Sequence, residues 1–410
     1  MHTGQNTLDP ESAAHGIDTD VSAAVGRTLE HILHRRLAEA RAIDATFAED
    51  IAERVVRFTL RGGKRIRSRF LWWGLRACAG GTDSGEVEAA LRLAAGLELI
   101  QTCALVHDDV MDGSPLRRGR AAVHVDLRTQ YAAHGAGSPR EPFGEAAAIL
   151  VGDLALSWAD DVLAATDLDA AKASRTRALW QSMRAEMVAG QYLDLHGQIT
   201  GSRSMGRAVR MASLKSALYS VERPLAVGAA LAGADEAATR ALCSAGRCAG
   251  IAFQLRDDLH GAFGEPGETG KPSGDDIREG KGTYLLAVAT ARARATADRD
   301  VLTLLESRVG TARPDENAVR QVREALVATG ARAIVEDKIR HLVGQADRHL
   351  AAGAFVPSAE QQLRGLFHRV AGLTTAGARN PSAGAEEPGA EAAVPPGAEA
   401  AEPCAKGGIL

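Results

Sequence analysis

The feature that most limits how this chain can fold is an apolar helical stripe that ends in carboxylates. Its apolar members recur at steps of four, three and four residues: Leu93, Leu97, Ile100 and Ala104. That spacing places side chains on one face of an α-helix. Asp108 and Asp112 are the next positions on the same face, and Asp109 lies beside them. Because a helix C-terminus already carries partial negative charge, stacked carboxylates there predict a bound cation.

The residues around these aspartates favour a magnesium ion that is bound together with phosphate. Mg²⁺ usually takes one or two carboxylates and fills its remaining positions with water and phosphate oxygens. Arg117 and Arg118 follow the aspartates, and they suit a phosphate that the metal also contacts. In this interpretation the metal, and not the arginines, neutralises the aspartates. The motif alone leaves open a solvated acidic helix end beside a basic loop.

A second acidic helix end occurs in the C-terminal half of the chain. Small and apolar residues share one helical stripe with an acid there: Gly246, Gly250, Phe253 and Asp257. The glycine-rich loop that follows carries Lys271 and Lys281 on either side of Asp275 and Asp276. Helical bundles build metal and ligand sites from inward side chains on facing helices. Two facing acidic ends therefore predict a metal-lined mouth above an apolar shaft.

Composition favours a single all-α bundle between two loose ends. Hydrophobic residues make up 45% of the chain but aromatic residues only 4%, so alanine and leucine supply most of the apolar surface, which favours helices over strands. We predict one helical domain over 21–373. Residues 1–20 are predicted to be a flexible arm. Residues 374–410, rich in Ala, Gly, Pro and Glu, are predicted to be a disordered tail, whose end could dock to an unknown partner.

Charge and cysteine content narrow the function classes. A formal net charge of −4 gives no electrostatic case for nucleic-acid binding. Five cysteines, an odd number without paired zinc spacing, suit reduced thiols in the cytoplasm. There is no secretory leader pattern, and we expect no apolar run long enough to cross a bilayer. The sequence therefore predicts a cytoplasmic protein without an integral membrane segment.

Several further polar residues could hold a second anion. Lys64 and Arg67 follow a Gly-Gly turn three positions apart, which places them on one side of a helix. Lys215 and Ser216 lie among apolar neighbours, where a lysine without a partner would be costly. Gln191 and Asp194 lie one helical turn apart in the segment GQYLDL. Each of these residue types alone is more often found on the surface, but their occurrence together with two acidic helix ends favours a binding role.

Seven sequence blocks, in order along the chain, resemble the trans-isoprenyl diphosphate synthases of the polyprenyl synthetase family, and are most like geranylgeranyl diphosphate synthases. The blocks are GGKRIR, HDDVMDGSPLRRG, GDLALS, GQYLDL, KSALYS, FQLRDDLHG and GKPSGDDIREGKGTY. The resemblance covers nearly all of 21–373. It implies an isoprenoid synthase bundle around a central apolar tunnel, assembled as a homodimer. It also implies isopentenyl diphosphate and an allylic diphosphate as substrates, with three Mg²⁺ ions per site that Mn²⁺ could replace.

The resemblance also implies roles for individual residues of this chain. The metal ligands would be Asp108, Asp112 and Asp257. Supporting carboxylates would be Asp109 and Asp258, with Asp276 in the outer coordination shell. The residues that grip the allylic diphosphate would be Arg117, Lys215 and Lys281, with Lys271 close to it. Isopentenyl diphosphate would be bound by Lys64, Arg67 and Arg118. Further candidate substrate contacts are Gln191, Ser216, Phe253 and Gln254.

Three positions depart from the family pattern. Gln101 stands where many relatives carry a histidine that contacts isopentenyl diphosphate, and a glutamine can still donate a hydrogen bond. Ser68 replaces the usual proline after the Gly-Gly-Lys block. Gly261 occupies the third aspartate position of the second acidic motif, so that motif has one carboxylate fewer.

Three residues before Asp108 bear on product length by the same resemblance. Ile100, Cys103 and Ala104 would form the floor of the shaft, and Cys103 and Ala104 are small. Relatives that stop at fifteen carbons generally carry aromatic residues there. We therefore predict a C20 product, geranylgeranyl diphosphate, with longer products as the first alternative.

Two other functions remain as alternatives. A catalytically silent subunit of another synthase typically loses one acidic motif, and Gly261 points in that direction. A class I terpene cyclase also uses an aspartate-rich motif with Mg²⁺, but it needs Ser or Thr at position 261. It has no use for a second diphosphate site either.

Overall fold

Eighteen α-helices make up almost all of the regular structure in the residues that this computed structural model describes, which are 10–132, 140–264, 274–310 and 316–373. The predicted all-α class is confirmed. The helices are α1 (Pro10–Thr19), α2 (Val21–Ile43), α3 (Ala45–Phe47), α4 (Glu53–Leu60), α5 (Ile66–Ala77), α6 (Ser84–Met111), α7 (Val123–Gln130), α8 (Arg140–Ala164), α9 (Ala170–Thr200), α10 (Met205–Ala212), α11 (Arg223–Leu231), α12 (Glu236–Phe263), α13 (Asp275–Glu279), α14 (Tyr284–Ala295), α15 (Arg299–Arg308), α16 (Glu316–Ala328), α17 (Ala331–Ala351) and α18 (Pro357–Val370). Two π-helical segments lie at Ala48–Ala52 and Ser213–Glu222, and an antiparallel ribbon pairs β1 (Leu116–Arg117) with β2 (Arg120–Ala121).

Helix α6 is the central element of the fold and carries the first acidic motif at its end. Its N-terminus is capped by Asp83, whose side chain accepts a hydrogen bond of 2.9 Å from the backbone N–H of Glu86. The helix packs against α8, α5 and α2. The predicted apolar stripe is buried at Leu93, Leu97 and Ile100. Burial of this face therefore fixes where the carboxylates that follow it project.

Helix α6 is long and apolar enough to cross a membrane, and it is the one helix among the described residues of which this is true. The expectation that no apolar run reaches that length is therefore wrong for Ser84–Met111. However, 72% of its apolar window is buried inside the fold, where α2, α5 and α8 cover it. Its apolar character is thus that of a core helix.

Helix α12 carries the second acidic motif and packs against α17 and the π-helical segment Ser213–Glu222. Two glycines allow that segment to approach its neighbours closely. A Cβ on Gly250 of α12 would lie 2.6 Å from Cα of Ala217, and one on Gly190 of α9 would lie 2.3 Å from the backbone N of Lys215. Both contacts are too short for any side chain, so the glycines set the position of Lys215 between the two helices.

The N-terminal segment differs from the flexible arm that the sequence predicts for residues 1–20. Pro10–Thr19 form α1, with Ala14 and Ile17 buried. The carboxylate of Asp18 accepts hydrogen bonds from Trp72 Nε1 at 2.8 Å and from Arg76 Nη2 at 3.1 Å. Scattered polar residues make this short apolar face hard to recognise in the sequence. The partners of Asp18 lie on α5, more than 50 residues later. The domain boundaries stay a prediction, and the tail 374–410 lies outside the described residues.

Candidate active site

Asp108 projects from the last turn of α6 into a ring of donors from three other elements. Its carboxylate accepts hydrogen bonds from Arg117 Nη2 at 3.2 Å, Gln191 Nε2 at 3.2 Å and Lys215 Nζ at 3.1 Å. Burial alone would raise the pKa of Asp108, but Lys215, Lys281 and Arg117 together hold it below its ordinary value. The structure thus brings Arg117, Gln191 and Lys215 together around Asp108, and the carboxylate stays ionised.

Asp109 is buried beside Asp108 and is held by the same arginine. Arg117 lies on the β1–β2 ribbon and donates from Nε to Asp109 Oδ1 at 2.8 Å. Burial would lower the pKa of Arg117, but the contacts with Asp109 and Asp108 raise it. The sequence argument reserved this arginine for phosphate and left the aspartates to a metal. In this structure Arg117 pairs with both acids, because the short ribbon folds back over the end of α6.

Asp112 caps the C-terminus of α6, and its carboxylate is 1% exposed. Lys281 Nζ lies 3.0 Å from Asp112 Oδ2 and 2.6 Å from a carboxylate oxygen of Glu279. The pKa of Lys281 would fall on burial alone, but the carboxylates around it, Asp276 first, raise it well above its ordinary value. Lys281 is therefore a charged group that contacts the first acidic motif from the loop after the second.

Lys215 is anchored by Asp194, a contact between two elements that the sequence analysis did not predict. Its Nζ lies 2.6 Å from Asp194 Oδ2 on α9 as well as 3.1 Å from Asp108. Burial would lower the pKa of Lys215, but these two carboxylates raise it. Asp194 is buried, and its helical spacing from Gln191 places both residues on one side of α9, as the sequence indicates.

The second acidic motif divides into one exposed and one buried carboxylate. Asp257 is exposed at the end region of α12, whereas Asp258 is buried. Gln254 Nε2 donates to Asp258 Oδ1 at 2.7 Å, and Ser216 donates its hydroxyl to Gln254 Oε1. Burial, with the nearby charges of Asp276 and Asp257, raises the pKa of Asp258 to about 8. Asp257 is thus the accessible acid of the pair, whereas Asp258 is buried next to it in the sequence.

The basic pocket predicted for a second diphosphate stays a prediction, but two of its residues are joined through Tyr219 where α5, α6 and the π-helical segment meet. The guanidinium of Arg67 lies 4.2 Å from the centre of the Tyr219 ring and donates to Ser220 Oγ at 2.7 Å. The Tyr219 hydroxyl donates to Gln101 Oε1 at 2.9 Å. Tyr219 therefore connects two of the predicted substrate contacts, Arg67 and Gln101, and the sequence analysis did not single it out.

The other two cations of this pocket lie on loops. Lys64 is exposed, and Arg118 donates to the backbone oxygen of Phe58 at 3.3 Å with its guanidinium 5.1 Å from that ring centre. The departure at Ser68 also has a partner, because its hydroxyl donates to buried Glu98 at 2.6 Å. Lys271, the remaining predicted cation, lies outside the described residues.

The three residues predicted to form the shaft floor lie on α6 before Asp108, and Ala104 shares its face of the helix. Ile100 and Cys103 are buried, and Ala104 is half-buried. Cys103 Sγ lies 3.7 Å from His107 Nδ1, and burial raises the pKa of the thiol to about 12. Phe253 is half-buried on α12. The tunnel between these helices stays a prediction.

The donor set suits Mg²⁺ with a phosphate ligand. Within the described ranges, no three or more His, Cys, Asp or Glu side chains converge to hold an ion by themselves. Mg²⁺ needs fewer, since it binds through one or two carboxylates plus substrate phosphates. Asp112 Oδ1 is buried and has no hydrogen-bond donor among the described residues, so a hard oxygen ligand is available at the motif. The residues present therefore fit the metal.

Comparisons with known proteins agree with this geometry. A family model described as polyprenyl synthetase matches residues 49–326. The geranylgeranyl diphosphate synthase of Mycobacterium tuberculosis is 32% identical over 281 residues, which cover 68% of this chain and 73% of the relative. The geranylfarnesyl diphosphate synthase of Aeropyrum pernix is 29% identical over 310 residues, covering 75% of this chain and 88% of that protein.

A solved structure is similar over nearly the same range. The crystal structure of geranylgeranyl pyrophosphate synthase from Corynebacterium glutamicum, complexed with isoprenyl diphosphate and magnesium, has a TM-score of 0.81 and 38% sequence identity. The match covers 85% of this chain and 98% of that one. From the matched motifs, the helical fold and these comparisons, the chain belongs to the polyprenyl synthetase family of trans-prenyltransferases.

Proposed function

We propose that this protein is a Mg²⁺-dependent geranylgeranyl diphosphate synthase. It condenses isopentenyl diphosphate with the allylic dimethylallyl, geranyl and farnesyl diphosphates until the product has twenty carbons. The observation that carries the proposal is the placement of Asp108. Its carboxylate lies among Arg117, Gln191 and Lys215, one helical turn after the small side chain of Ala104 on α6.

The allylic diphosphate is bound by the cations of the two acidic motifs. Asp108, Asp112 and Asp257 would hold Mg²⁺, with three ions per site, and the bound metal supplies charge neutralisation that makes diphosphate a leaving group. Lys215 and Lys281 are kept charged by the carboxylates around them. They present ammonium groups to the diphosphate oxygens as negative charge develops there. Fixed charge of this kind lowers the barrier because it needs no reorganisation during the reaction.

Isopentenyl diphosphate is held in the pocket of Arg67, Lys64 and Arg118, with Gln101 beside it. The rigid stack of Arg67 on Tyr219 fixes the direction of one diphosphate contact, which orients the isopentenyl double bond toward the allylic carbon. A new carbon–carbon bond forms as the allylic C–O bond breaks. The proton lost from the isopentenyl unit passes to the released diphosphate, so no protein carboxylate needs a pKa tuned for proton transfer.

Product length follows from the residues beneath Asp108. Growing chain passes along the apolar face of α6, and the small Cys103 and Ala104 allow it to extend past the fifteen-carbon stage. A longer product is the second candidate, because a relative of similar identity is named a geranylfarnesyl diphosphate synthase. The intact cluster of Asp108, Lys215 and Lys281 argues against a catalytically silent subunit. The basic pocket of Lys64, Arg67 and Arg118 argues against a terpene cyclase, which has no use for a second diphosphate site.

We also propose that the protein acts as a cytoplasmic homodimer. Large apolar side chains lie exposed on two helices: Phe143, Ile149 and Leu150 on α8, and Val188 and Tyr192 on α9. Exposed apolar patches of this kind mark protein–protein contacts. Light scattering after size exclusion should give twice the mass of one chain, and Leu150→Glu should shift the population toward monomer.

A product assay tests the proposed function. Purified protein is incubated with Mg²⁺, radiolabelled isopentenyl diphosphate and each allylic primer in turn, and the dephosphorylated products are separated by chromatography. We expect a dominant C20 alcohol from all primers and no product with EDTA. A dominant C15 product, or one of C30 and above, would contradict the assigned length. Absence of any product from the protein alone would favour the silent subunit.

A further inference from the structure

The short segment that carries Lys281 packs directly on the backbone of two other segments. Residues 280–283, which we call the lysine loop, join α13 to α14. A Cβ on Gly280 would lie 2.7 Å from Cα of Gly310, and a Cβ on Gly282 would lie 2.9 Å from the backbone oxygen of Ser202. Real Cβ atoms essentially never come within 3.0 Å of another heavy atom. The lysine loop is therefore held on two sides by backbone that lies outside both acidic motifs.

Gly310, which follows α15, provides the first of these contacts. Gly310 and Gly280 both have a φ of +72°, the left-handed backbone that favours glycine. A Cβ on Gly310 would lie 3.0 Å from Cα of Gly280, so the close approach is mutual. The Gly310 N–H also donates a hydrogen bond of 3.1 Å to the backbone oxygen of buried Ile277 in α13. This hydrogen bond fixes the position of Gly310 against the residues just before the lysine loop.

The second contact is tied to the same helix. Ser202 lies between α9 and α10, and the next residue, Arg203, donates from Nη2 to the backbone oxygen of Leu305 in α15 at 2.8 Å. Leu305 is fully buried. Helix α15 therefore supports the lysine loop twice, directly through Gly310 and indirectly through Arg203 and Ser202.

The backbone of the lysine loop determines where the Lys281 side chain starts. The Lys281 N–H donates to the backbone oxygen of Asp276 at 3.0 Å, and the Lys281 oxygen accepts a hydrogen bond of 2.8 Å from the N–H of buried Thr283. From this position Nζ lies 3.0 Å from Asp112 Oδ2. A shift of the loop would therefore move the ammonium group relative to the first acidic motif.

We propose that Gly310 is a positioning residue for the reaction, through which α15 holds Lys281 at the acidic motifs, and that Arg203 is a second support. The inference rests on the proposed function, in which Lys281 contacts the allylic diphosphate. Gly310 acts through the backbone of Gly280 and is not itself a catalytic residue. Neither Gly310 nor Arg203 belongs to the seven blocks that carry the family resemblance.

Another glycine offers a matched control for Gly310. Gly330 has a φ of +75°, and no heavy atom of the described residues beyond its own chain neighbours lies within 4 Å of its Cβ position. Alanine at either position imposes the same left-handed backbone strain, but Gly310→Ala alone presses against Gly280. Thermal unfolding of both variants shows that each is folded at the assay temperature.

Affinity for inorganic diphosphate reports on Lys281 without turnover. It is measured by isothermal titration calorimetry with Mg²⁺ present. We expect Kd to rise about fivefold in Gly310→Ala, because a displaced ammonium makes a poorer charge-assisted hydrogen bond, and to stay within about twofold of wild type in Gly330→Ala. In Gly310→Ala alone, kcat should fall about tenfold. Equal changes in the two variants would overturn the proposal.

A double-mutant cycle with Lys281→Met separates positioning from a general loss of structure. If Gly310 acts through Lys281, adding Gly310→Ala to Lys281→Met should change Kd and kcat less than about twofold. Arg203→Met should cause a smaller loss with the same dependence on Lys281. Independent, multiplying losses in the double variants would show that these residues act by another route, and the proposal would be wrong.

Failure of the inference can be told apart from failure of the proposed function. A wild-type protein that makes C20 product, while Gly310→Ala and Gly330→Ala behave alike, would refute the positioning role alone. A wild-type protein that makes no product, but whose affinity for diphosphate depends on Gly310 only when Lys281 is present, would refute the function and keep the positioning role.

Discussion

Lys281 Nζ lies 3.0 Å from Oδ2 of Asp112, so one ammonium group joins the segment after the second acidic motif to the end of the first. The same Nζ lies 2.6 Å from a carboxylate oxygen of Glu279; the side chain of Asp112 is 1% exposed, and that of Lys281 is half-buried. Asp112 and Lys281 are nearly 170 residues apart in sequence, yet their side chains are in direct contact. Lys281 is therefore both a structural tie and a candidate phosphate contact.

Replacing Lys281 should damage stability and turnover together. Removing one partner of a buried ion pair costs about 3–5 kcal/mol, and less where water can reach the remaining charge. Because Lys281 keeps 14% of its side chain exposed, we expect Lys281→Met to lower the free energy of unfolding in urea by about 2 kcal/mol. We expect kcat to fall about 100-fold, since a fixed charge on the leaving group is lost.

The matched control is Lys281→Arg, which keeps the charge in a different shape. It should lose less than about 1 kcal/mol of stability and retain measurable turnover. Equal losses in both variants would show that the length of the side chain, and not its charge, ties the motifs together.

Tyr219 should control the affinity for isopentenyl diphosphate. Tyr219→Phe keeps the ring under Arg67 but removes the hydrogen bond to Gln101. A neutral hydrogen bond contributes about 1 kcal/mol, so KM for isopentenyl diphosphate should rise about fivefold. The KM for the allylic primer and kcat should change less than twofold. Steady-state kinetics with each substrate varied in turn measures this, and an equal rise in both KM values would place Tyr219 elsewhere in the mechanism.

The sequence predicted the helical class and the first acidic motif because both depend on local spacing. The apolar stripe through Leu97 and Ile100 is buried as expected, and Asp108 follows it on the same face. Local spacing cannot supply partners from other helices. Asp194, which anchors Lys215, comes from α9, and Arg117 turns back on Asp109 through a ribbon of two residues per strand.

The same limit applies to the helix at the N-terminus and to the departure at Gly261. Asp18 of α1 accepts hydrogen bonds from Trp72 and Arg76 on α5, and the sequence of residues 1–20 alone does not identify these partners. Gly261 reads as a lost carboxylate in the sequence, whereas in the structure Asp276 fills its side-chain space. A departure from a motif can therefore be judged only after the neighbouring chain has been placed.

Alkaline pH should weaken the contribution of Cys103 to stability. The thiol has an ordinary pKa of 9.0, and burial raises it to about 12 in the folded protein. Between these values the unfolded chain loses its proton while the folded protein keeps it, so the free energy of unfolding falls as pH rises. The thiol can contribute at most about 1.4 kcal/mol per pH unit in that window, and nothing below pH 8.

The comparison variant is Cys103→Ala, which lacks the titrating group. The stability difference between wild type and Cys103→Ala should be constant from pH 6 to pH 8 and should shrink from pH 9 to pH 10.5 in urea unfolding at each pH. A difference that stays constant over the whole range would show that the thiol titrates near its ordinary value.

Ala104→Phe should shorten the product. Ala104 is one helical turn before Asp108 and half-buried, so an aromatic ring there would extend into the path of the growing chain without having to displace the fully buried Ile100. We expect the main product to change from C20 to C15 with the total rate of isopentenyl incorporation within about threefold of wild type, since one blocked position removes only the last condensation.

Ala104→Ser, which adds one atom, should keep the C20 product. Chromatography of dephosphorylated products from a geranyl diphosphate primer measures both. An unchanged C20 product from Ala104→Phe would place the floor on another helix, and the half-buried Phe253 of α12 would then be the next position to change.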